Sequence, residues 1–165
     1  MKKYNMKRVE GGGLVQLLEC TNPVRNKWRV RWDVQPGEQE GMVSYMEEEF
    51  SYKPSVDEVK ALIVDWYNQQ INNKIISGFA YNEVLVWLSQ ENQFNYKAAY
   101  DLALQTDGAS LPVTFKFGTD EEPVYYEFDT LEKITDFYTK EIQFVQRTLA
   151  TGWKKKDAVD LSNYE

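Results

Sequence analysis

Histidine is absent from this 165-residue chain, and there is one cysteine, Cys20. The missing imidazole removes the commonest general base, the commonest metal ligand and the usual partner of a Ser or Cys nucleophile. One thiol cannot close an intramolecular disulfide or assemble a Cys/His zinc site, so the sequence predicts no metal and no structural disulfide. Long apolar runs are also missing, and the charged start MKKYNMKRVEGGG has no apolar stretch behind it, so neither a membrane span nor a signal peptide is expected. Basic charge is scarce: 19 Lys and Arg face 26 Asp and Glu, a net charge of −7, which repels a phosphate backbone and argues against nucleic acid as a partner. Neither GxGxxG nor GxxxxGK[ST] occurs, and the GGG at 11–13 precedes a strand pattern rather than opening a helix. No cofactor is expected.

What is present is a globular composition, 42% hydrophobic and 15% aromatic, enough for one folded core with appendages. After the GGG, LVQLLECT (14–21), KWRVRWDV (27–34) and GMVSYMEEEFSY (41–52) read as three antiparallel strands separated by NPVRN and PGEQEG. Alternation puts Trp28, Val30 and Trp32 on one face and Arg29, Arg31 and Asp33 on the other. Ser55 and Glu58 form a capping box for a first helix over about 56–72, carried by Val59, Leu62, Ile63 and Trp66. IISGFAY and EVLVWLS predict a hairpin turning at Tyr81-Asn82-Glu83. Ser89 is placed to cap a second helix anchored by Phe94, Ala98 and Leu102, with Gly108 as its stop. LPVTFKF and PVYYEF around GTDEE predict a second hairpin. Asp129 with Glu132 then opens a third helix along Leu131, Ile134, Tyr138, Ile142, Val145 and Leu149, closed at Gly152.

The order predicts an α+β fold: an N-terminal meander and two hairpins packed with three helices. The expected organisation is a flexible arm over 1–13, antiparallel strands over 14–53, an α+β domain over 54–152 and a polar tail over 153–165. Glu47, Glu48 and Glu49 read as a solvated strand edge, and TDEE at 119–122 as a hairpin tip. Most aromatic residues fall on periodic faces suited to a core. Where both faces of a strand are aromatic, as in PVYYEF, one ring must face outward, and the candidate interaction surface is Trp28, Trp32, Tyr125, Tyr126 and Trp153. Gln93 and Asn95 are not explained by helical periodicity, and at least one is expected to bond backbone atoms near the start of the second helix.

From INNKIISGFAYNEVLVWLSQENQFNYKAAYDLALQTDGASLPV through to the charged segment after Gly152, residues 71–160 resemble the DUF4376-type domain of bacteriophage and prophage tail-region proteins, in particular those of Bacteroides-type gut phages. Ile75, Gly78, Phe79, Gln93, Asn95, Pro112, Phe137 and Gly152 hold the places of that pattern; the N-terminal strands lie outside it. The resemblance implies a virion or tail-assembly protein, made in the bacterial host cytoplasm, with no catalytic residues. It would act through contacts with other phage structural proteins or with copies of itself. Two other readings follow from composition. An acidic host-interaction (anti-defence) protein would need Glu38, Glu40, Glu47, Glu48, Glu49 and Asp120, Glu121, Glu122 on one face. A carbohydrate-binding module or enzyme would need a concave site with two carboxylates beside an exposed ring.

Overall fold

The computed structural model describes residues 4–165, so the first three residues of the expected arm lie outside the described residues. The chain is α+β, with three long helices, one four-stranded antiparallel sheet and two separate hairpins among the described residues. It divides into two compact units, Met1–Trp66 with Ala158–Glu165, and Tyr67–Asp157. The division falls within the first helix, α1 (Val56–Ser77), at Trp66 rather than near the expected residue 54.

In the first unit, β1 (Lys7–Gly12), β2 (Leu18–Asn22), β3 (Lys27–Pro36) and β4 (Met42–Phe50) form a sheet in the order β1-β4-β3-β2. The expected flexible arm is therefore corrected over 7–12. These residues pair with β4 from Lys7 opposite Glu47 to Gly12 opposite Met42. Glycine-rich sequence is depleted in strands, which hid this one; at Gly11 a Cβ would stand 3.2 Å from the Tyr45 hydroxyl, so the strand passes close over that ring. With β1 added, β4 is internal rather than an edge. Glu47 is 2% exposed, so the reading of Glu47 to Glu49 as a solvated edge fails there.

One sheet face carries Val30, Trp32, Met46 and Phe50 as a buried layer, and the first half of α1 adds Val59, Leu62, Ile63 and Trp66 to the same core. Trp32 and Trp66 meet edge to face, with ring centroids 6.2 Å apart. The capping box forms as predicted: Ser55 N–H donates to Glu58 Oε2 at 3.0 Å, and Glu58 N–H to Ser55 Oγ at 3.3 Å. The expected polar tail is also corrected. The third helix runs on through residue 157, and beyond it Tyr164, 3% exposed, donates its hydroxyl to the Arg31 carbonyl at 2.7 Å.

The second unit is built around rings. After α1, β5 (Phe79–Tyr81) and β6 (Val84–Val86) form a hairpin whose two turn residues, Asn82 and Glu83, both have positive φ, 47° and 67°. That is the two-residue turn whose twist matches its strands. α2 (Gln90–Gln105) starts at Ser89, whose Oγ accepts from Asn92 N–H at 3.2 Å. β7 (Val113–Gly118) and β8 (Pro123–Phe128) form the second hairpin, with 119–122 at its tip as expected. α3 (Leu131–Asp157) is capped by Thr130, whose Oγ1 accepts from Lys133 N–H at 3.3 Å. Asp129, expected to cap, instead pairs with Lys133 Nζ at 2.7 Å. Phe137 of α3 is fully buried and lies 5.1 to 6.3 Å, centroid to centroid, from the rings of Phe79, Tyr81, Tyr96, Phe115, Phe117 and Phe128. Gly152 does not end α3. A Cβ there would stand 2.2 Å from Ile71 Cγ1, so the glycine admits α1 at close range within this unit.

Candidate functional site

Three places in the fold hold chemistry beyond simple packing. The first is the sheet face opposite the apolar layer. Arg31, 8% exposed, places Nε 2.8 Å from Glu47 Oε2 and Nη1 2.7 Å from Glu19 Oε2, and Nη1 donates to the Gln16 carbonyl at 3.0 Å. Its guanidinium lies 5.5 Å from the Tyr45 ring centre. Burial alone would lower its pKa, but the hydrogen bonds to Glu47 and Glu19 outweigh burial and raise it. Lys7 and Arg29 also stand 3.6 Å from Glu47, and Lys27 and Arg29 pair with Glu49. Each of these carboxylates is thus neutralised by cations across neighbouring strands, while Glu48 alternates to the other face. The contiguous acidic face required of a nucleic-acid mimic does not form on this sheet.

The second place is an open groove of about 430 Å³ in the unit of residues 67–157. Leu85 and Trp87 line one side, Asn92 its end, and Lys116, Phe117, Gly118, Thr119 and Asp120 the other. Its polar side chains are engaged with one another or with nearby backbone: Asn92 Nδ2 donates to the Trp87 carbonyl at 2.7 Å, and Lys116 Nζ pairs with Asp120 Oδ1 at 3.1 Å. Asp120 is the single carboxylate among the lining residues, so the paired acids needed for glycoside chemistry are not assembled. Gln93 meets the expectation made for it: Nε2 donates to the Leu88 carbonyl at 2.8 Å, tying α2 to the segment that leads into it from β6, while Asn95 is exposed.

The third is Glu141 on α3, 1% exposed, whose Oε2 has no hydrogen-bond partner among the described residues. Burial pushes its carboxyl up to about 8. Tyr96 of α2 is raised to about 12, first by its own burial and then by the nearby Glu141 carboxylate. Sequence periodicity placed Tyr138, Ile142 and Val145 on the buried stripe and missed that Glu141 lies at its centre.

The five aromatic residues singled out for a surface divide. Trp32 is 3% exposed and belongs to the core, a correction with a plain cause: it faces α1 rather than solvent. Trp28 is half-buried, its Nε1 donating to Asn26 Oδ1 at 2.9 Å. Tyr126 is half-buried against Tyr81, Phe117 and Phe128. Tyr125 and Trp153, by contrast, are 70% and 50% exposed. The inward face of α2 is also corrected. Phe94, Ala98 and Leu102 point outward, with Phe94 70% and Leu102 50% exposed, because Tyr96, Ala99, Tyr100 and Ala103 form the stripe that meets the core. Among the described residues, no group of three or more Cys, Asp or Glu could hold a metal ion, and no helix is long and apolar enough to cross a membrane. No protein family, curated protein or solved structure matches the chain.

Proposed function

We propose that this chain is a non-enzymatic interaction protein of a bacteriophage particle or of its assembly, allied to the DUF4376-type tail-region proteins and made in the bacterial host cytoplasm. The observation that carries the reading is the surface of the unit Tyr67–Asp157, where Trp87, Phe94, Leu102, Leu104, Tyr125 and Trp153 are each about half exposed or more. That unit does not lack a core: Val86, Leu88, Ala103, Phe128 and Phe137 are fully buried. Large apolar side chains left outside a well-filled core are the raw material of protein interfaces, where aromatic residues dominate the binding energy. The resemblance over residues 71–160 supplies the phage context. Quantitative mass spectrometry of purified particles tests the proposal. The protein is expected in a fixed ratio to a known particle protein, or in assembly intermediates isolated from infected cells. Its absence from both would overturn the reading.

A further inference from the structure

We infer that the groove flanked by Leu85 and Trp87 on one side and by Lys116, Thr119 and Asp120 on the other binds a neutral sugar, one or two residues of a longer glycan, without cleaving it. Such a site stands whether or not the chain belongs to a phage particle. Among the described residues, Trp87 is the large exposed apolar side chain that lines the groove, whereas Phe94, Leu102, Tyr125 and Trp153 do not. A sugar ring has an apolar face of C–H groups whose weak positive charge suits the negative face of an indole. Its rim carries hydroxyls, each able to donate and to accept. The groove supplies both halves of that pattern. Its volume of about 430 Å³ lies within the range of small-ligand sites. Because it is open, it covers one face of a sugar ring and leaves room for the glycan to run on.

The polar side chains keep capacity for a ligand beyond their bonds within the fold. Asn92 donates from Nδ2 to the Trp87 carbonyl, and its amide oxygen remains an acceptor. Thr119 Oγ1 accepts from the Glu122 N–H at 3.0 Å, and its hydroxyl proton remains to be donated. Lys116 uses one of its ammonium donors on Asp120 Oδ1 at 3.1 Å, which leaves further donors and the second carboxylate oxygen side by side. An adjacent donor and acceptor match two neighbouring hydroxyls of one sugar, and charge strengthens both bonds. Charge also excludes the competing ligands. The lining has one cation and one anion, so an anionic ligand meets Asp120 and a cationic one meets Lys116. A flat apolar ring would cover Trp87 and leave the polar groups without partners, a loss that a hydroxylated ligand avoids. Asp120 is the single carboxylate in the lining, so the acid and base pair that hydrolysis needs is missing and the sugar is held intact.

NMR of the isotope-labelled full chain tests the site, with trisaccharides of glucose, galactose, mannose and N-acetylglucosamine as neutral probes and tri-galacturonate as an acidic one. At about 10 mM, at least one neutral probe should shift the Trp87 indole N–H and the amides of Lys116, Thr119 and Asp120, and should leave Trp153 in place. Trp87→Ala should weaken binding about tenfold or more, and Trp87→Phe, which keeps a flat ring, should recover most of it. Asp120→Ala should weaken it about threefold or more with an unchanged thermal melt, because that side chain is exposed. Trp153→Ala, at an exposed position outside the groove, should leave binding as it was. Tighter binding of tri-galacturonate than of every neutral probe would overturn the neutral assignment, and shortened sugars after long incubation would overturn binding without cleavage. No shift with any probe, or shifts that survive both Trp87→Ala and Asp120→Ala, would overturn the site itself.

Discussion

Two buried ionisable groups have opposite circumstances, and their variants should behave oppositely. Arg31 has partners on every side, so Arg31→Met strands Glu47, 2% exposed, without its closest cation. A loss of about 3–5 kcal/mol in urea denaturation is expected, largely recovered when Glu47→Leu is added, since removing one partner costs more than removing both. Glu141 has no such partner. Below about pH 4.5 its carboxyl is protonated whether the chain is folded or not, and it contributes no pH dependence. Between about 4.5 and about 8 the unfolded chain gives up the proton and the folded chain keeps it, so stability falls by about 1.4 kcal/mol per pH unit from this group. Above about 8 the folded state ionises too and the loss levels off. Glu141→Gln should flatten that slope in melts taken from pH 4 to pH 9, and Glu141→Leu should flatten it and raise stability at neutral pH. A wild-type slope retained in both variants would assign the dependence to another group.

At the level of elements, much was legible because local chemistry and tertiary packing agree. Ser55 and Ser89 cap the helices they were assigned, the turn falls at Asn82 and Glu83, and the alternation of Val113, Phe115 and Phe117 turns them inward. Legibility failed where sequence offers two equal faces. α2 carries one stripe of Phe94, Ala98 and Leu102 and another of Tyr96, Ala99, Tyr100 and Ala103, and only packing against Phe115 and Phe137 decides between them. On the candidate surface the cause is different: the alternation put Trp32 on an apolar face, and α1 covers that face through Trp66. Gly152 is a third case, read as a stop although it is a point of close approach. Gly152→Ala should therefore cost about 1–3 kcal/mol through overpacking on Ile71, despite alanine's better helix propensity. With Ile71→Ala present the same change should become stabilising. Equal effects in both backgrounds, measured as a double-mutant cycle, would show that Ile71 is not the obstacle.

Across the whole molecule, the chain leaves its first unit at residue 66 and returns to it at residue 158, so the last eight residues belong to the fold that the first strands begin. Nothing in LSNYE signals this, because a single tyrosine has no periodicity. What holds the return is Tyr164, buried to 3% exposure and bonded to the carbonyl of Arg31 on an inner strand. Tyr164→Phe keeps the ring and loses that hydrogen bond, which should cost about 1 kcal/mol. Tyr164→Ala also empties the ring's site and should cost about 3–5 kcal/mol. Deleting residues 158–165 should act in the same place as Tyr164→Ala. Hydrogen exchange is expected to quicken at the amides of β2, β3 and β4, while those of α2, β7, β8 and the middle of α3 keep their protection. Faster exchange throughout both units would show that the segment supports the chain as one cooperative body, and unchanged exchange in β3 would show that the buried tyrosine contributes nothing to the sheet it touches.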